Sequence, residues 1–111
     1  MMDDTRRAPR RNVPDNVPVV DHLREQSIGR LTNVSETGML LLTSADLVDE
    51  ALYQLSFGLP GARQPAPQID VGVHLLWQEP AQAPGQSWAG FRFLTISEEH
   101  RQLIRQWVGN G

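Results

Sequence analysis

Between residues 69 and 77 every odd position is large and apolar, Ile69, Val71, Val73, Leu75 and Trp77, while Asp70, Gly72, His74 and Leu76 fall between them. A period of two puts all five apolar side chains on one face of an extended strand and cannot form the stripe of a helix. One such strand buries its apolar face only by joining a sheet, so the rest of the chain must supply partners. Further strand-like segments are present at 17–23 (VPVVDHL), 27–34 (SIGRLTNV), 38–43 (GMLLLT), 51–59 (ALYQLSFGL) and 87–96 (SWAGFRFLTI), the last with Phe91 and Phe93 on one face. Ser35 to Gly38, Gly58 to Gly61, Pro65 to Pro67 and residues 80–86 (PAQAPGQ) carry the turn chemistry between them, and 45–50 reads as one helical turn or a loop. Six strands in about 80 residues predict a mainly β fold, a small six-stranded antiparallel barrel.

The last segment has the other period. Ser97 is placed to cap a helix, Glu98 and Glu99 put negative charge in its first turn, and Leu103, Ile104, Trp107 and Val108 form one stripe, with Gly109 as the stop. A helix over 98–108 is expected to pack on the barrel, the two forming one domain over 17–109. Residues 1–16 differ from both. They contain only Met1, Met2, Ala8 and Val13 as apolar residues, follow neither period, and include Pro9 and Pro14, so they are expected to form a flexible arm.

That arm is basic. All ten basic side chains of the 111-residue chain are arginine, and Arg6, Arg7, Arg10 and Arg11 give residues 5–14 a charge of +4, leaving −7 elsewhere to reach the total of −3. An acidic remainder with few aromatic residues opposes a nucleic-acid-binding barrel, the reading a basic arm alone would invite. With no cysteine the chain has no disulfide, no thiolate metal site and no Cys nucleophile. The absence of a long apolar run leads to the expectation of a cytoplasmic protein without membrane insertion. His22, His74 and His100 are scattered over different elements, and there is neither a nucleophile elbow nor a phosphate loop, so no enzyme and no metal are expected.

Two patterns remain. Arg6-x-x-x-Arg10 is repeated one residue on as Arg7-x-x-x-Arg11, a spacing that this arginine content yields about once by chance. Asn33-Val34-Ser35-Glu36-Thr37-Gly38 fits [D/N]-x-S-x-x-G, for which about 0.05 chance occurrences are expected. Together, and in this order before a Gly90-Phe91-Arg92-Phe93 strand and a C-terminal helix, they resemble the PilZ domain family of receptors for the bacterial second messenger cyclic di-GMP. The resemblance runs from residue 6 to residue 108, with Asn33 where aspartate is commoner.

The resemblance implies a PilZ-like barrel whose ligand, cyclic di-GMP, is held by Arg6 and Arg10, with Arg7 as an additional contact and Arg11 as the alternative register. It assigns Asn33, Ser35 and Gly38 to the second half of the site and places Trp77 where several members carry an aromatic residue beside the ligand. The residue types suit that chemistry. A guanidinium can fork onto a phosphate or onto the O6/N7 edge of guanine, and it can also stack on the base. Asn33 offers a donor and an acceptor, Ser35 either, and Gly38 a tight turn. The expected action is an arm that orders on binding and signals to a separate effector protein. The alternative is a PilZ-like adaptor that does not bind the nucleotide.

Overall fold

In a computed structural model of the chain, residues 8–61 and 65–110 are described. Seven strands and one helix follow in the order β1 (Arg11–Asn12), β2 (Pro18–Asp21), β3 (Gln26–Val34), β4 (Gly38–Thr43), β5 (Leu52–Gly58), β6 (Gln68–Pro80), β7 (Ser87–Ile96) and α1 (Glu98–Gly109). All pairings are antiparallel. Strands β2, β3 and β4 form one meander and β5, β6 and β7 another, and the two join along β2–β5 and β4–β7. The six strands therefore close into the expected barrel, which α1 completes at the C-terminus.

Strand β1 was not anticipated. Arg11 pairs with Val34 and Asn12 with Asn33, Val13 donates its N–H to Thr32, and β2 takes up the same edge of β3 at Pro18 opposite Arg30. Residues 11–21 thus run along β3 as one strand interrupted near Pro14, and Val13 and Val17 are buried in the core. Two isolated valines separated by Pro14 have no period to betray them, which is why residues 11–16 read as unstructured from sequence.

The core is filled from alternate positions of the strands, with Leu31, Leu41, Leu55, Phe57, Ile69 and Leu75 among its fully buried side chains. Residues 45–50 form a loop. Helix α1 sets Ile104 fully into the core and leans Leu103, Trp107 and Val108 against it. Ser97 caps its start, accepting from the His100 N–H at 3.1 Å. Gly109 is its last residue rather than the stop; Asn110 forms the C-cap with φ −90° and its N–H directed to the last carbonyls.

The alternation of β6 fails at one point. Leu75 pairs with Phe91 but Trp77 with Gly90, so Leu76 is an extra residue and the strand bulges there. Trp77 therefore leaves the buried face of Ile69, Val71, Val73 and Leu75 and stands 44% exposed. A period of two counts residues and cannot register an inserted one.

Candidate functional site

The turn between β3 and β4 is built by the second motif. Ser35 is buried, and its Oγ accepts from the N–H groups of Thr37 and Gly38 at 3.1 and 3.2 Å while its own N–H reaches the Gly38 carbonyl at 2.9 Å. The hydroxyl thus holds the turn closed from inside. Gly38 is required by the neighbouring strand, since a Cβ there would stand 2.3 Å from the carbonyl oxygen of Phe91. Both residues shape the site; neither lines the groove described next.

Asn33 sits outside that turn. A second bulge, at Thr32, separates it from Leu31 and pairs it with Leu40. Leu40 pairs with Gly90, and Gly90 with Trp77, so one row crosses four strands from Asn33 to Trp77. Above it lies an open groove of about 200 Å³, with Arg10 and Asn33 at one end, Leu76 and Trp77 at the other and Leu40 and Gly90 between. Arg10 Nη1 donates to Asn33 Oδ1 at 2.9 Å.

Arg11 points elsewhere. Successive side chains of an extended segment face opposite ways, and the Arg11 guanidinium lies 4.1 Å from the centroid of the Trp107 ring and donates to the Trp107 carbonyl at 2.6 Å. It thereby supplies positive charge at the C-terminal end of a helix whose own last turn has no basic residue. Arg105, which the sequence places near that end, instead pairs with Glu36 of the motif turn at 2.8 Å. That hydrogen bond, followed by the charge of Glu36, raises the pKa of the guanidinium further. A larger depression of about 330 Å³ beside Arg11, Trp107 and Pro60 contains no motif residue other than Arg11. The structure thus brings Arg10, Asn33 and Trp77 together, with Ser35 and Gly38 beneath and Arg11 apart. Arg6 and Arg7 lie outside the described residues.

Sequence reasoning missed Leu40, Leu76 and Gly90 as groove residues. Their position depends on register across four strands and on two bulges, and Gly90 was legible only as part of a family-like strand. Among the described residues no cluster of three or more His, Asp or Glu is placed to hold a metal ion, and no helix is long and apolar enough to cross a membrane.

The barrel, the arginine segment and the Asn33 to Gly38 turn define a recognised class, and the family model described as PilZ domain matches residues 4–110. The chain belongs to the PilZ domain family. Its fold is similar to that of the Bacillus subtilis inhibitor of motility MotI/DgrA, with a TM-score of 0.76 and 14% identity over 94% of this chain and 49% of that one. It is similar also to Escherichia coli YcgR in complex with c-di-GMP, with a TM-score of 0.74 and 18% identity over 94% of this chain and 44% of that one. For the PilZ domain of YcgR with c-di-GMP the TM-score is 0.68 at 16% identity, over 94% and 88% of the two chains. The chain therefore spans about half the length of MotI/DgrA and of the longer YcgR chain. No curated protein matches its sequence.

Proposed function

We propose that this chain is a receptor for cyclic di-GMP and that the groove between Arg10 and Trp77 receives one of its guanines. The observation that carries this reading is the Arg10 to Asn33 hydrogen bond at 2.9 Å in a groove whose other end is lined by Trp77. The groove joins the arginine motif, the turn motif and an aromatic ring, although Arg10 and Trp77 lie far apart in the sequence. The two YcgR structures, which share the fold and are described with c-di-GMP, support the same ligand. Arg10 can fork onto a phosphate or onto the guanine edge, and Asn33 can complement that edge with a donor and an acceptor.

At about 200 Å³ the groove is smaller than the roughly 300–1,000 Å³ that encloses a drug-sized ligand. The dinucleotide must therefore be completed from above, and Arg6 and Arg7 are the groups available to do so. Of the two registers, Arg6 with Arg10 fits this site, because Arg11 is engaged at the helix. In our reading the basic segment closes over the bound nucleotide and so presents a changed surface to a partner protein, in the cell compartment where the messenger is made. Ser35 and Gly38 act by holding the turn that follows Asn33, and with it the end of β3 on which Asn33 stands.

Calorimetric titration with cyclic di-GMP tests the reading. Saturable binding by the wild type and at least a tenfold loss in Arg10→Ala are expected, since a charge-assisted forked contact contributes about 1.5–3 kcal/mol. A wild-type chain that releases no heat and shows no binding by a second method fits a PilZ-like adaptor instead.

A further inference from the structure

Gly90 is the one position in the groove's floor without a side chain, and the space it leaves is taken. A Cβ built there would lie 2.3 Å from Nε1, 2.4 Å from Cε2 and 2.8 Å from Cζ2 of Trp77, contacts that no real Cβ makes. The indole therefore lies across the backbone of Gly90, its direct partner in the β6–β7 ladder. Gly90 itself is buried, while Trp77 remains 44% exposed. The Nε1, Cε2 and Cζ2 atoms of the ring are thus supported by backbone, while the residue stays exposed and lines the groove. The bulge at Leu76 is what turns Trp77 outward at this point.

We infer that Gly90 is a positioning residue for ligand recognition: its missing side chain lets the Trp77 indole lie on the sheet as a stacking platform for a planar base. This rests on the receptor reading above and adds to it a residue that makes no polar contact with any ligand. A base stacks well on an aromatic ring whose orientation is already fixed, because no rotamer freedom is then lost on binding. The three atoms an alanine Cβ at position 90 would meet first all belong to the indole, not to strand backbone. The ring must swing away, and the barrel's hydrogen-bond ladder need not change.

The test is a cycle of wild type, Gly90→Ala, Trp77→Ala and the double variant, titrated with cyclic di-GMP and followed by the indole N–H resonances of the three tryptophans. Gly90→Ala should bind about tenfold more weakly, within the range that loss of base stacking on an aromatic ring produces. The double variant should bind no more weakly than Trp77→Ala, and only the Trp77 resonance should move, with those of Trp88 and Trp107 in place. Wild-type affinity in Gly90→Ala, or a further loss when it is added to Trp77→Ala, overturns the assignment. So does an unmoved Trp77 resonance in Gly90→Ala, whether or not any nucleotide binds. Failure of the wild type to bind cyclic di-GMP overturns the receptor reading itself, which separates the two outcomes.

Discussion

Arg10 and Arg11 are adjacent and chemically identical, yet the strand sends one to Asn33 and the other to the end of α1. Their substitutions should separate in kind. Arg11→Ala removes a ring contact and a hydrogen bond to a helix-terminal carbonyl, so it should lower unfolding stability by about 1–2 kcal/mol in a urea melt. Its affinity loss should be smaller than that of Arg10→Ala. The reverse order would return the ligand to the Arg7 and Arg11 register. Ser35 shows the same divergence between type and use: a hydroxyl expected beside a guanine is buried under two backbone N–H groups. Its motif is thus a structural device with Asn33 as the outward-facing member.

Elements with a clean period or an explicit end signal could be read from the chain directly. Strand β4 over Gly38–Thr43 and β7 over Ser87–Ile96 have the expected limits, and α1 runs one residue past the expected 98–108. Ser97 is a strong start signal, and Ser97→Ala should cost about 1 kcal/mol, measured as a shift of the thermal or urea transition. An unchanged transition would show that tertiary packing through Ile104 alone fixes the helix start. What could not be read were the features that depend on a partner strand. The 17–23 segment ends at Asp21, still paired to Gln26 and Leu55, because the chain turns there, with the Asp21 carboxylate accepting from the Leu23 N–H and its carbonyl from the Glu25 N–H. The 69–77 segment lengthens to Gln68–Pro80 because β5 pairs with its start and β7 with its end. The bulges at Thr32 and Leu76 are equally invisible in one strand alone, and they decide which side chains enter the groove. The site was therefore legible as a set of residue types and illegible as a surface.

At the scale of the whole molecule, the segment that bears Arg10 is continuous with the barrel wall. Arg11, Asn12 and Val13 are fixed to β3, so the ordering proposed above would start from an anchor already in place. Adding cyclic di-GMP should increase hydrogen-exchange protection of the amides around Ala8 and Arg10 and leave those of β5, which contributes no residue to the groove, as they were. Equal protection with and without nucleotide would count against an ordering arm. Helix α1 is held at two points that come from either side of the site, by Arg11 at Trp107 and by Glu36 at Arg105. The closed ring has one more implication. With β2 to β7 joined all the way round, the described chain offers no long strand edge onto which another polypeptide could add itself. Backbone pairing is thereby closed along the ring, the end of β6 beyond His74 excepted, so a partner would mainly read side chains. The side chains of the groove rim and of the exposed face of α1 are the ones the described barrel leaves to offer such a surface.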